Sequence, residues 1–343
     1  MKRESWLIRL NICSGLLILI LFLVMGVSIS WGSADLRLAD VWRVVLAHLV
    51  GGASVDSATD AIVWNIRLPR VILSALIGAA LAGAGVVFQG VLRNPLADPY
   101  ILGVSSGAAL GAALALLTGL GTTLWGEWSV PLWAFLFAAI ALFLVLGLAR
   151  RGMRTETLIL SGVVVQAFFG AMLMLLISVT SAEEMQRIQF WIMGSVSLRE
   201  WQHIYAVLPF FLAGGVVVWL MSRTLNLFAL GERYAGHLGV SVNRTRTWLL
   251  LLATLMTAAA VAVSGTIGFV GLVIPHMMRR MIGPDHRVLF PVSVLSGAVF
   301  LVAADTLART VLEPRELPIG VVTALVGVPF FAWQLRRGIR LGQ

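Results

Sequence analysis

The sequence is short of charge, of lysine and of cysteine, and each shortage excludes something. Of 343 residues only 12% are charged while 59% are hydrophobic, whereas about a quarter of a soluble globule is charged. No stretch is long enough for a water-soluble domain, so a single membrane domain over residues 1–343 is expected. Lysine occurs once, at Lys2. A nucleotide-hydrolysing P-loop needs a Lys just after its glycine-rich turn to reach the terminal phosphates, so that chemistry is excluded from this chain. Cysteine also occurs once, at Cys13, which excludes an intramolecular disulfide and any Cys-based metal cluster. The histidines, His48, His203, His237, His276 and His286, lie far apart with no metal-ligand spacing, so neither a metal nor a cofactor is expected.

What is present is arginine, 24 of the 25 basic residues, in a chain of net charge +9. In a soluble protein this excess would suggest nucleic acid, but here the arginines are scattered through short gaps between apolar runs, and no nucleic-acid partner is expected. The runs are long enough to cross about 30 Å of hydrocarbon. They fall near 10–30, 63–88, 101–120, 131–149, 157–178, 201–222, 247–264, 267–281, 288–308 and 318–335. The first exceeds the 7–15-residue core of a signal peptide and reads as a retained span. The eighth is short and interrupted by Gly265, Gly268, Gly271 and Pro275, which predicts a tilted or broken helix inside the bundle.

Charge sets the direction. With ten spans, 17 basic and 5 acidic residues share the side of the termini, against 8 basic and 11 acidic on the other. Basic residues favour the cytoplasmic face, so both termini are expected there. Nine spans would strand Arg336, Arg337 and Arg340 outside. Small residues four apart, Gly103, Gly107 and Gly111, and Gly78 with Ala82, mark close helix contacts. The centres of the spans hold no Asp, Glu, Lys or Arg; Asp305 lies near an outer end, and Gln89 and Gln166 are the nearest polar candidates. An ion-coupled carrier acting alone, the rival reading, would place such groups there. The chain reads as a pathway energised by another protein.

Three loops carry information. Segment 223–246 is over twenty residues long, and Leu227, Leu230, Tyr234 and Leu238 recur at helical spacing, predicting an exposed amphipathic helix for lipid or a partner's groove. RNPLADP at 93–99 forces turn geometry. RLPR at 67–70 either snorkels to the interface or pairs with acidic groups of an external protein.

These segments, with GAALAGAGVVFQGVLRNPLADPYILGVSSGAALGA from Gly78, FALGERYAGHLGV at 228–240, GTIGFVGLVIPHMMRR at 265–280 and ELPIGVVTALVGVPFF at 316–331, resemble the FecCD permeases of type II ABC importers along nearly the whole chain. The resemblance implies an all-α polytopic fold of about ten spans in a bacterial cytoplasmic membrane, carrying ferric siderophore, cobalamin or haem. It implies a second permease subunit, a cytoplasmic ABC ATPase dimer and an extracytoplasmic substrate-binding protein. By position it makes Arg67, Arg70 and Arg309 docking residues for the binding protein. It makes Leu230, Gly231, Glu232, Ala235, Leu238 and Gly239 part of the ATPase-coupling segment, and Thr180 and Ser181 a gate near the dimer axis.

Overall fold

The computed structural model describes residues 5–31, 36–51, 56–151 and 154–340; Lys2, Arg3, Glu4 and Asp35, used above to set direction, lie outside them. The described residues form helices joined by loops, with no strand. Hydrocarbon offers the backbone no hydrogen-bond partner, and a helix satisfies its own N–H and C=O groups. In chain order the helices are α1 (Ser5–Ser30), α2 (Leu38–Val50), α3 (Ser57–Asp60), α4 (Leu68–Val91), α5 (Val104–Thr118), α6 (Thr122–Trp125), α7 (Ser129–Leu148), α8 (Thr155–Ser178), α9 (Ala182–Met193), α10 (Trp201–Leu220), α11 (Ser222–Ala229), α12 (Glu232–His237), α13 (Val242–Ser264), α14 (Val270–Ile282), α15 (His286–Thr310) and α16 (Ile319–Arg340). A π-helical stretch, Ala61–Arg67, runs into α4, and a 3-10 turn, Pro99–Leu102, precedes α5.

Seven of these helical stretches are long and apolar enough to cross a membrane, while α5, α14 and the apolar part of α16 are shorter. Each of the ten predicted runs coincides with a helix. The end of the bundle carrying α11 and α12 is called inner, after the arginine distribution.

The core is organised around α4, whose most apolar window is 94% buried, against 17% for that of α1. It packs on α13, α14 and α15. Glycine makes this possible at Gly85, where an added Cβ would overlap the carbonyl of Gly271 on α14, and at Gly78, where it would overlap Gly297 on α15. Gly107 and Gly111 meet α7 in the same way, so the predicted small-residue rows are helix contacts. Gly103 is not part of its row: with φ of 77° it is the left-handed residue that turns the chain into α5.

Two spans are incomplete as helices. Residues 92–103, the loop before α5, and 265–269 before α14 are largely irregular; Gly265 and Gly268 fall in the second break as predicted, whereas Gly271 and Pro275 lie inside α14. Their backbones are tied together where Tyr100 donates its hydroxyl to the Ile267 carbonyl at 2.9 Å and accepts from the Ile267 N–H at 3.1 Å. Non-helical backbone buried in the bundle requires such internal partners.

The single amphipathic helix expected over 223–246 is two helices. Gly231 adopts φ of 111°, a conformation closed to other residues, and separates α11 from α12. Leu227 is then half-buried on α11, while Tyr234 on α12 is exposed, as are Leu230 before it and Leu238 after it.

Candidate functional site

At the outer end three arginines meet. Pro69 stands where the π-helical stretch passes into α4, with Arg67 the last residue of the stretch and Arg70 in the first turn of α4. Arg67 donates through Nη1 to the carbonyls of Ile29 (2.8 Å) and Ser30 (3.2 Å) at the end of α1. Arg70 grips both carboxylate oxygens of Asp305 on α15, its Nε 3.1 Å from each and its Nη2 2.9 Å from Oδ1, while Nη1 reaches Glu316 Oε1 at 2.8 Å. Arg309, one helical turn after Asp305, donates to the Ser28 carbonyl at 2.8 Å. All three side chains are buried, at 5–8% exposure, so they do not snorkel. Buried guanidiniums require partners, and α1, α15 and the α15–α16 loop supply them. Burial alone would raise the Glu316 carboxyl, but its hydrogen bond from Arg70 prevails and holds it below the usual range. The group lines a small cleft of about 130 Å³ with Glu313 and Glu316.

At the inner end Glu232 opens α12, where a negative charge suits the helix N-terminus. Its Oε1 lies 2.6 Å from Nη2 of Arg246 on α13 and 3.3 Å from Nη2 of Arg93 in the α4–α5 loop. Arg246 is wholly buried and rests over the Phe228 ring at 5.9 Å. Ala235 is buried beneath α12, and Gly239, with φ of 85°, closes it. Thus α12 faces inward with its polar root anchored and with Leu230, Tyr234 and Leu238 exposed on and beside it. Arg93, Arg154, Glu156, Glu232 and Arg233 line a polar cleft of about 550 Å³ beside it.

Between these ends, α9 meets the C-terminus of α13 and the N-terminus of α16. Ile319 N–H donates to the Gly194 carbonyl at 3.1 Å and Ser195 N–H to the Ser264 carbonyl at 2.7 Å. Gly194, Gly265 and Gly320 let the three backbones touch. An apolar cleft of about 550 Å³ opens there, lined by Met193, Thr266, Phe269, Val321 and Val328 among others and by no titratable group. Phe269 has φ of 68°, unusual for a bulky residue, with its ring against Gly327 of α16.

Thr180 and Ser181 are not in that cleft. Ser181 caps α9 in a reciprocal pair with Glu184, and Thr180 donates to the same carboxylate at 2.7 Å. These hydrogen bonds, that from Thr180 foremost, hold the Glu184 carboxyl below its usual range. The cleft residues were not singled out from sequence. Their only signal was the run of glycines at 265–271, read as helix interruption. Among the described residues no His, Cys, Asp and Glu group could hold a metal.

The family model for the FecCD transport family matches residues 17–337. The chain is 47% identical to an ABC transporter permease protein of Bacillus subtilis, YvrB, over 92% of this chain and 90% of that one. It is 46% identical to a cobalamin import system permease protein of Halobacterium salinarum, over 82% and 75%, and 39% identical to a hemin transport system permease protein of Yersinia pestis, over 94% of each. A solved structure described as an inward-facing conformation of a metal-chelate type ABC transporter superposes with a TM-score of 0.84 at 32% identity, covering 95% of this chain and 99% of that one.

Proposed function

The chain belongs to the FecCD transport family and is a multi-pass ABC importer permease, not an enzyme; on that premise we propose that it carries a bulky iron complex of the ferric-siderophore type. Cobalamin is the second reading, favoured by the 46% identity to a cobalamin permease, and haem the third, by the 39% identity to a hemin permease.

The observation that carries the proposal is the apolar cleft at the junction of α9, α14 and α16, with no fixed charge among its lining residues. A conduit for a large chelate gains from a wall that grips weakly, because tight binding would slow release. The exposed apolar side chains of α8 and α16 suit a second permease subunit, so that the pathway runs along the axis between two copies. ATP-driven motion of a cytoplasmic ATPase dimer enters through α12, where Leu230, Tyr234 and Leu238 meet the partner while Gly231 and Gly239 shape the helix and Ala235 seats it. The arginine cleft at the outer end, with Arg67, Arg70 and Arg309, receives acidic groups of the substrate-binding protein. Thr180 and Ser181, capping α9, take part in gating by fixing the outer end of a helix whose inner end lines the cleft.

The test is reconstitution in proteoliposomes with an ATPase partner and a cognate binding protein loaded in turn with ferric siderophore, cobalamin or haem. Uptake of the iron complex that needs ATP and both partners is the expected result. Uptake of cobalamin or haem alone overturns the cargo, and transport by the isolated chain under a pH gradient overturns the importer mechanism.

A further inference from the structure

The segment made of α11 and α12 is fastened to the bundle at two separate places, and the two fastenings lead to different parts of the molecule. On the premise of the permease reading above, we infer that Asn226 on α11 is a positioning residue that links the nucleotide state of the ATPase to the outer arginine cluster, by way of α15.

Asn226 spends its whole amide on the start of α15. Its Nδ2 donates to Asp285 Oδ1 at 2.7 Å, and its Oδ1 accepts from the His286 N–H at 2.9 Å and lies 2.7 Å from His286 Nδ1. Asp285 is the N-cap of α15 and accepts from the Arg287 N–H at 3.1 Å. The free N–H groups of a helix start need partners, and a partner borrowed from another helix joins the two. Helix α4 closes the joint, because a Cβ at Gly90 would stand 2.9 Å from His286 Nε2 and 3.3 Å from Leu225 Cδ2. Helix α1 is joined through Arg287, which lies 2.6 Å from Asp285 and 4.6 Å over the Trp6 ring.

From that joint α15 runs as one helix from His286 to Thr310, continuous through Pro291. Asp305 stands about 30 Å beyond Asp285 at 1.5 Å per residue. There Arg70 of α4 grips Asp305, and Arg309 donates to the Ser28 carbonyl of α1. The helices α1, α4 and α15 are thus fastened to one another at both ends, with α11 held at the inner one. Close-packed helices joined in this way carry a displacement along their length. Helix α12 leads elsewhere. Gly231 separates it from α11, and Glu232 anchors it to Arg246 of α13. The far end of α13 is the Ser264 carbonyl, which accepts from the Ser195 N–H beside the central cleft. A push on this segment therefore has two outputs, α13 toward the cleft and α15 toward the docking arginines.

The test uses the full-length permease reconstituted with its ATPase, and measures the dissociation constant of the cognate binding protein with and without a non-hydrolysable ATP analogue. Wild type should show two different constants, and linkage requires the binding protein to shift affinity for the analogue by the same factor. Asn226→Ala should shrink the ratio of the two constants about fivefold, leaving the nucleotide-free constant near wild type. The exchange of Asn226→Asp together with Asp285→Asn reverses donor and acceptor but keeps the joint, and should restore the ratio. Arg246→Met releases α12 from α13 and leaves α11 on α15, so it should lower uptake with the ratio retained. A wild-type ratio in Asn226→Ala, no recovery in the exchanged pair, or a ratio lost as fully in Arg246→Met each overturns the inference. Equal constants in wild type that still shows ATP-driven uptake overturn the inference alone. Absence of ATP-driven uptake, or of docking, overturns the underlying reading and the inference with it.

Discussion

Arg246 buries its guanidinium 2.6 Å from Glu232, with 1% of the arginine side chain exposed against 31% of the glutamate. The arginine belongs to the membrane helix α13 and the glutamate to the inward-facing α12, so the pair anchors α12 to the bundle. Arg93 on the other side of the carboxylate adds the α4–α5 loop. Glu232 therefore acts as an internal anchor of α12, and Leu230, Tyr234 and Leu238 are left exposed for the proposed contact with an ATPase.

The asymmetry of that burial makes a prediction. Removing one member of a buried pair leaves the other charge uncompensated, whereas replacing the cation by an apolar side chain removes the need for a partner. Glu232→Gln should destabilise by about 1–3 kcal/mol, reduced from the fully buried case by the glutamate's partial exposure, while Arg246→Met should be within about 1 kcal/mol of wild type. Both should uncouple ATP hydrolysis from uptake and leave binding-protein docking intact. Thermal melting in detergent decides the first point, and a Met variant as damaged as the Gln variant refutes it.

The outer cluster needs a different test, because Arg67→Glu with Arg70→Glu would break buried pairs as well as any docking contact. Glu316 is the accessible member, 42% exposed and held by only one arm of Arg70. Glu316→Ala should leave the Arg70 grip on Asp305 in place and free Nη1 for a carboxylate of the binding protein, tightening docking at low salt. Arg70→Gln should weaken it. If neither substitution changes the dissociation constant measured on immobilised permease, these arginines are structural only.

Asp98 caps the 3-10 turn by accepting from the Tyr100 N–H at 2.8 Å, and burial pushes its carboxyl up to about 6. A raised carboxyl contributes stability that is complete below its unfolded value, near 3.8, and lost as pH rises through about 6. Wild type should therefore gain about 1–2 kcal/mol on going from pH 7 to pH 5 relative to Asp98→Asn, which keeps the accepting oxygen but does not titrate. Parallel pH profiles of melting temperature would disprove the assignment.

Packing at α4 can be tested with glycines alone. Gly85→Ala places a Cβ on the Gly271 carbonyl of another helix, and neither backbone can yield. A loss of more than about 3 kcal/mol, or failure to accumulate in the membrane, is expected. Gly170→Ala on α8, where nothing lies within 4 Å, is the matched control and should be neutral or slightly stabilising. Similar expression and melting of the two variants would count against the close approach.

Much of this arrangement was legible in the sequence. Apolar run length located ten helical segments, and the glycines of 265–271 announced a broken helix because a local cause has a local signature. The burial of Arg70 was not legible. Asp305 lies 235 residues away, and no periodicity announces that two helix ends far apart in sequence will meet. Helix α9 was missed for a related reason. Its AEEMQRIQFWIM sequence is too polar and too short to read as a span, and the contacts of Trp191 and Gly194 with Gly265 and of Met193 with Gly320 reveal what it touches.

Phe269 combines both kinds of information, a residue of the recognisable GTIGFVG segment whose conformation no sequence pattern specifies. Holding a phenylalanine at φ of 68° costs about 1–2 kcal/mol, and the position is the entrance to α14 at the wall of the central cleft. Phe269→Gly removes that strain but also the ring seated on Gly327, so melting temperature should shift by only a few degrees while cargo uptake changes. Gly327→Ala pushes from the other side, its Cβ 2.7 Å from that of Phe269, and should slow uptake with the aromatic ring still present. Transport assays on both variants at matched expression separate a cleft-shaping role from a packing one. Wild-type uptake rates in both would mean that the ring neither shapes nor obstructs the path.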